Sequence, residues 1–163
     1  QLLVRQGYLA LRYHAGLTPE ERQTNQDYFV RGQVQIIVAT NAFGMGIDKA
    51  DVRFVVHYNI PKDVESYYQE AGRSGRDGKP AECLLLYDKG DIAINTYLTG
   101  HDQPDLAWKD RELKLLDKMV TYCNTSGCLR KYLLEYFGER VASNCNNCGN
   151  CSQNKEATWR RFL

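Results

Sequence analysis

Two arginines spaced three apart among glycines are the residues of this chain best suited to binding phosphate. Arg73 and Arg76 lie in the run QEAGRSGRDG, residues 69–78. A guanidinium is always charged and can donate two parallel hydrogen bonds to an oxyanion, while glycine lets the backbone approach closely. An arginine presented in this way to a nucleotide on another domain would act as an arginine finger. Basic residues also suit the solvated C-terminal end of a helix, and that alternative remains open here.

A second glycine-containing loop is similar to a phosphate-binding loop. It has the sequence TNAFGMGIDKAD, residues 40–51, and it follows a β-branched run. Its Gly46 and Asp48 could face a phosphate, although an ordinary turn between a strand and a helix has the same composition. Thr40 could donate its hydroxyl to a nucleic-acid phosphate or merely cap the following turn. His14 could also contact phosphate, or it could be a structural residue at the end of a strand.

The last third of the chain contains a cluster of cysteines that could bind a metal ion. Cys145, Cys148 and Cys151 form a C-x-x-C-x-x-C run in a polar loop whose residues tolerate tight turns. Structural zinc takes four ligands, so a fourth must come from earlier in the chain, where Cys128, Cys123 and the histidines are candidates. Two disulfides or an iron–sulfur cluster could use the same cysteines, but their clustering favours structural zinc.

Alternating strands and helices must position these runs. Apolar runs predict strands and amphipathic spacing predicts helices between them. The predicted strands are 11–14, 34–39, 53–58 and 82–87, and the predicted helices are 19–31, 63–72 and 88–98. This order is typical of an α/β fold with a parallel sheet and helices on both faces, in which ligands bind at the carboxyl ends of the strands.

The composition changes near residue 100, where a polar link rich in turn-forming residues begins. Helical spacing beyond it predicts two helices, 106–123 and 128–137, which would form a hairpin closed by the metal.

The net charge is only +1, so a nucleic-acid site would have to be local. No apolar run is long enough to cross a membrane, so no membrane partner is expected. The first residues do not have the layout of a signal peptide, and we expect the chain to lie inside a longer protein.

Five runs of this sequence resemble those of a known family. The runs YHAGLTPEER (13–22), IIVATNAFGMGIDKADVRFVVHYNIP (36–61) and SYYQEAGRSGRDG (66–78) resemble motifs IV, V and VI of superfamily 2 helicases. The runs GCLRKYLLEYFGE (127–139) and CNNCGNC (145–151) resemble the zinc-binding subdomain of the RecQ family of DNA helicases. Motif VI alone would also fit RNA helicases, so the cysteine module is what favours RecQ.

The resemblance implies both a fold and an activity. The implied fold is a RecA-like parallel sheet with flanking helices at residues 1–99, which lacks its first strand, followed by a small zinc-binding helical hairpin at 100–152. Residues 153–163 would begin a winged-helix domain. The implied activity is ATP-driven 3′–5′ unwinding of single-stranded and partially duplex DNA in repair and recombination. Such a protein would be cytoplasmic and nucleoid-associated in a bacterium, or nuclear in a eukaryote.

The resemblance also assigns roles around the nucleotide. Arg76 matches the arginine finger, and Arg73 and Gln69 match its neighbours near the phosphates. Gly46 and Asp48 match the loop that faces the nucleotide. ATP and Mg²⁺ would bind mainly to a first lobe, because the chain contains neither G-x-x-x-x-G-K-[ST] nor a D-E-x-H-type acidic box. We therefore expect the chain alone to hydrolyse no ATP.

Nucleic-acid and metal contacts are implied in the same way. His14 and Thr40 match positions near the DNA backbone. The implied zinc ligands are Cys128, Cys145, Cys148 and Cys151. Two other hypotheses remain: an RNA helicase of the same superfamily, and a zinc-dependent nucleic-acid-binding module without catalysis.

Overall fold

The chain folds into short parallel strands connected by helices, followed by two further helices. The structure is a computed structural model, and it describes residues 1–40, 43, 49–100 and 105–152. Its elements are α1 (Leu2–Arg5), β1 (Ala10–Tyr13), α2 (Pro19–Val30), β2 (Ile36–Ala39), β3 (Phe54–His57), α3 (Val64–Ala71), β4 (Glu82–Leu85), α4 (Lys89–Gly100), α5 (Leu106–Asn124) and α6 (Leu129–Tyr136). None of the described helices is both long and apolar enough to span a membrane.

The strands pair in parallel, as predicted. β1 pairs with β2, with Ala10 opposite Ile36, and β3 pairs with β4, with Phe54 opposite Glu82. Within the described residues these are two separate two-stranded sheets rather than the one sheet expected from the sequence. Local apolar runs specify where strands form but not which strands become neighbours.

Each sheet belongs to a different compact unit. Residues 1–52 and 75–80 form the first unit, which contains α1, β1, α2 and β2. Residues 53–74 and those from 81 onward form the second unit, which contains the remaining elements.

Side-chain caps fix the starts of the two helices that flank the phosphate-facing runs. Thr18 and Glu21 form a reciprocal capping box at α2, in which each side chain accepts a hydrogen bond from the other residue's backbone N–H at 3.2 and 2.9 Å. At α3 the Asp63 carboxylate accepts a hydrogen bond from the backbone N–H of Ser66 at 2.6 Å. Both caps lie at the helix starts predicted from the sequence.

The core of the second unit joins α3 to α5. Val64 of α3 and Met119 of α5 are completely buried, and Tyr67 and Tyr122 pack beside them. The Tyr122 hydroxyl donates a hydrogen bond to the Tyr67 hydroxyl at 3.3 Å. Because α3 leads directly into Arg73, this core attaches the arginine-bearing turn to the helical hairpin.

Candidate metal centre and phosphate-facing residues

Four cysteine sulfurs converge at the end of the hairpin. The Sγ atoms of Cys128, Cys145, Cys148 and Cys151 all lie within 4.8 Å of one another. The Cys128–Cys148 pair is 3.9 Å apart and the Cys145–Cys151 pair 4.0 Å. A tetrahedral zinc ion with Zn–S bonds of about 2.3 Å separates its sulfurs by about 3.8 Å, whereas a disulfide bond is about 2.05 Å long. The spacing therefore fits one metal ion and not two disulfides.

Backbone N–H groups point at these sulfurs. Cys128 is the N-cap of α6, and its Sγ accepts hydrogen bonds from the backbone of Lys131 at 3.4 Å and of Cys145 at 3.3 Å. Sγ of Cys148 accepts a hydrogen bond from the backbone of Leu129 at 3.3 Å. N–H donors at a helix N-terminus stabilise negative charge, so this frame suits thiolates.

Asparagines shape the loop that carries the last three cysteines. Asn146 has a φ of +54°, a left-handed conformation that asparagine tolerates better than most residues. The Asn150 side chain donates hydrogen bonds to the carbonyls of Thr125 and Gly127, both at 2.8 Å. These bonds attach the cysteine loop to the turn between α5 and α6.

The cysteines of the cluster differ in the pKa of their thiols. Burial raises the pKa of Cys148, but hydrogen bonds from the Cys151 side chain and from the backbone of Leu129 outweigh it and lower that pKa to about 6. Burial, followed by the bond to Cys148, raises the pKa of Cys151 to about 12. A bound metal ion displaces such protons, because thiolates are the ligands.

Cys123, the other candidate for the fourth ligand, lies outside this cluster. It packs against the core around Met119, and burial followed by the nearby Asp91 carboxylate raises its pKa to about 11. A protonated thiol in an apolar environment suits packing rather than metal binding.

The phosphate-facing residues of motif VI are divided between the two units. Gln69 lies in the last turn of α3, and Arg73 follows in the turn after Gly72; both belong to the second unit. Arg76 belongs to the first unit. The preceding Gly75 has a φ of +62°, which glycine adopts without strain.

His14 and Thr40 lie at one edge of the β1–β2 sheet. They directly follow Tyr13 and Ala39, which are paired in register, and the backbone N–H of Thr40 donates to the Tyr13 carbonyl at 3.1 Å. The structure thus brings together the two residues predicted to contact the DNA backbone. A Cβ on residue 16 would come within 3.2 Å of the His14 imidazole, so glycine there makes room for the ring. Gly46 and Asp48 lie outside the described residues.

The pair formed by His57 and Glu70 was not assigned a role from the sequence. His57, at the end of β3, is buried, and its Nε2 lies 2.9 Å from Oε2 of Glu70. Glu70 directly follows Gln69. An acidic residue inside an arginine-rich phosphate run was the only signal in the sequence, and it did not identify the partner 13 residues away.

Comparison with known families divides the chain into a helicase part and a zinc-binding part. The model of the helicase conserved C-terminal domain matches residues 1–78, and that of the RecQ zinc-binding region matches residues 89–152, which include all four clustered cysteines. The zinc-binding part of the chain thus matches the RecQ family, and the part before it matches helicases. The RecQ zinc-binding match and the four-sulfur cluster together support zinc as the metal.

Relatives of the RecQ family share most of this chain. The ATP-dependent DNA helicase RecQ of Bacillus subtilis (strain 168) is 47% identical over 155 residues, which are 95% of this chain and 26% of the relative. The ATP-dependent DNA helicase hus2/rqh1 of Schizosaccharomyces pombe is 45% identical over 156 residues, which are 94% of this chain and 12% of the relative. The chain thus spans about a quarter or less of the length of these RecQ-family relatives.

Structural similarity agrees at the level of the fold. A structure of Saccharomyces cerevisiae Dbp5 bound to Gle1 and IP6 matches with a TM-score of 0.51 and 24% identity, over 71% of this chain and 34% of that one. The prediction of a RecA-like α/β fold followed by a cysteine-rich zinc-binding region is confirmed.

Proposed function

We propose that this chain forms part of an ATP-dependent 3′–5′ DNA helicase that acts in DNA repair and recombination. The observation that carries the proposal is the combination, on one chain, of the helicase match containing Gln69, Arg73 and Arg76 with the four-sulfur cluster. The two relatives described above are both DNA helicases, which supports DNA as the nucleic acid. A protein acting on DNA would work in the nucleoid-containing cytoplasm of a bacterium or in a eukaryotic nucleus.

The arginine-rich run would serve ATP hydrolysis. Arg76 would reach the γ-phosphate of a nucleotide held mainly, with its Mg²⁺, by a first lobe outside this chain, and it would stabilise the charge of the transition state. Arg73 and Gln69 would contact the phosphates beside it. Gly46 and Asp48 would belong to the loop facing the nucleotide.

The edge formed by His14 and Thr40 would contact the DNA backbone. Both residues follow paired strands, and the carboxyl ends of parallel strands are where α/β sheets bind ligands. Contacts to phosphate carry no sequence information, so single-stranded and partially duplex DNA of any sequence would bind, and binding would weaken with salt. Closure on ATP and opening after hydrolysis would move this edge along the strand.

The zinc ion would be structural. Its ligands would be the four clustered cysteines, which leave no open position for a substrate. The corresponding domains would be the helicase lobe at 1–99, the zinc-binding subdomain at 100–152 and the start of a winged-helix domain at 153–163.

ATP hydrolysis by the longer natural protein tests this function. We expect single-stranded DNA, but not single-stranded RNA, to raise its turnover into the range of about 1 to 1,000 per second that is usual for enzymes. The 163-residue chain alone, measured as a control, should hydrolyse no ATP. Stimulation by RNA alone would indicate an RNA helicase, and no stimulation by either would indicate a nucleic-acid-binding module without catalysis.

A further inference from the structure

A buried histidine and a glutamate of motif VI lie within hydrogen-bond distance of each other. His57 is 8% exposed, and its Nε2 lies 2.9 Å from the Glu70 carboxylate. The other ring nitrogen, Nδ1, is buried without a hydrogen-bond partner in the described part of the chain. Nε2 of the ring is thus placed to donate a hydrogen bond to the Glu70 carboxylate.

His57 is held through both its backbone and its ring. Its backbone carbonyl accepts a hydrogen bond from Leu86 at 3.0 Å, which fixes it to the segment after β4. The ring packs on Tyr67 of α3, with centroids 5.0 Å apart, and Tyr67 packs on Tyr122 of α5 at 5.2 Å. The donor that meets Glu70 therefore has little freedom to move.

The turn that carries Arg73 is built on Glu70 and its neighbour. The carbonyl of Glu70 accepts a hydrogen bond from the backbone N–H of Arg73 at 3.3 Å. The carbonyl of Ala71 accepts two from Ser74, through the backbone N–H at 3.1 Å and the hydroxyl at 2.8 Å. Gln69 precedes Glu70 directly. The last turn of a helix frays unless it is fixed, so holding the Glu70 side chain holds both neighbours of the proposed arginine finger.

We propose that His57 and Glu70 are positioning residues, which hold the last turn of α3 so that Gln69 and Arg73 meet the nucleotide phosphates in the orientation required by the transition state. The proposal rests on the proposed function. Neither residue of the pair needs to touch the nucleotide. A displacement of about 1 Å at a catalytic group can cost about 100-fold in rate. Losing the pair would therefore lower kcat more than it would weaken the affinity for ATP.

The first test is steady-state hydrolysis by the longer natural protein with saturating single-stranded DNA. We expect Glu70→Ala and His57→Leu to lower kcat by about 10- to 100-fold, with KM for ATP changed by less than about threefold. Glu70→Gln, whose amide oxygen can still accept from Nε2, should recover most of the lost turnover. The double variant should be no worse than the more impaired single variant, because the two residues act as one unit. The matched control is Glu82→Ala, which removes an exposed glutamate at the start of β4.

A second measurement does not depend on catalysis. Amide hydrogen exchange in the same protein should accelerate at Arg73 and Ser74 in Glu70→Ala, by about tenfold, but not in Glu82→Ala. Wild-type turnover in Glu70→Ala, no recovery in Glu70→Gln, or unchanged exchange at these amides would each overturn the positioning role. A wild-type protein without nucleic-acid-stimulated hydrolysis would instead overturn the proposed function, and the exchange data would still decide whether the pair holds the turn.

Discussion

At the scale of single residues, two nearby cysteines, Cys123 and Cys128, were candidates for the fourth metal ligand, and only Cys128 lies in the cluster. Cys128 caps α6 and meets the three loop cysteines, whereas Cys123, five residues earlier, packs into the core. The frame of N–H donors around Cys128 stabilises a thiolate, while burial keeps the Cys123 thiol protonated. The two cysteines should therefore respond very differently to the same substitution.

Replacing Cys128 with serine should remove the metal. Three thiolates and a weakly basic hydroxyl cannot hold structural zinc tightly, and metal binding in such modules contributes about 10 to 16 kcal/mol of apparent folding free energy. We expect zinc per chain, measured by native mass spectrometry, to fall from one to near zero and the protein to lose solubility. The matched control, Cys123→Ser, should retain zinc at a cost of about 1 to 2 kcal/mol in stability. Zinc retained in Cys128→Ser, or lost in Cys123→Ser, would contradict the ligand set.

Only part of this site could be predicted from the sequence. The C-x-x-C-x-x-C run identifies three ligands because its spacing is local. Spacing alone left both Cys123 and Cys128 possible as the fourth ligand; the family resemblance implied Cys128, which the structure places in the cluster as the N-cap of α6. The contact between His57 and Glu70 could not be predicted either, because it depends on how β3 packs against α3.

At the scale of elements, α3 is the helix that the hairpin supports. Its core residues pack on α5, and its Glu65 carboxylate accepts a hydrogen bond from the Tyr136 hydroxyl of α6 at 2.6 Å. Tyr122 of α5 stacks on Tyr132 of α6, with centroids 5.6 Å apart. The zinc-closed hairpin and the helix that leads into Arg73 therefore share one core, and a change in either should be felt by the other.

The paired tyrosines of this core predict instability at high pH. Burial raises the pKa of both Tyr67 and Tyr122 above the usual value near 10. The unfolded chain thus loses these protons first, so their contribution is intact below pH 10 and is lost as the pH rises above it. Tyr122 should add up to about 1.4 kcal/mol of destabilisation per pH unit there, and Tyr67 should act in the same direction. Denaturant unfolding between pH 8 and 11, in reducing buffer with zinc, measures this slope.

Substituting one tyrosine separates this effect from other titrations. Tyr122→Phe removes one ionisable hydroxyl, so the loss of stability above pH 10 should become shallower by about 1.4 kcal/mol per pH unit. The control Tyr58→Phe changes a tyrosine that is 79% exposed, and it should leave the slope as it is. An equally steep loss in Tyr122→Phe and in the wild type would show that the hydroxyl pair does not control the transition.

The elements were predictable where their cause is local. The bounds of the strands, and of the helices from α2 onward, fall within two residues of those predicted, because caps such as Thr18 and the apolar periodicity act over a few residues. The division into two sheets was not predicted, because it depends on which strands meet across the chain.

At the scale of the whole molecule, the chain contains only some of the groups that ATP hydrolysis needs. It spans about a quarter or less of the length of the two relatives described above. Its sequence contains an arginine-rich run and two residues proposed to contact the DNA backbone, but no G-x-x-x-x-G-K-[ST] loop for the nucleotide. In the proposed helicase, the contribution of this chain to chemistry is thus concentrated in Arg76, which should act on a nucleotide bound elsewhere.

Turnover of the Arg76→Ala variant of the longer natural protein tests this claim most directly. The measurement is single-turnover ATP hydrolysis with saturating single-stranded DNA, together with the affinities for ATP and DNA. An arginine finger acts mainly in the transition state, so we predict a loss of at least about 100-fold in the hydrolysis rate with both affinities nearly unchanged. Arg31→Ala, an exposed arginine at the C-terminal end of α2, is the control and should hydrolyse ATP normally. Near-normal hydrolysis by Arg76→Ala would contradict the account.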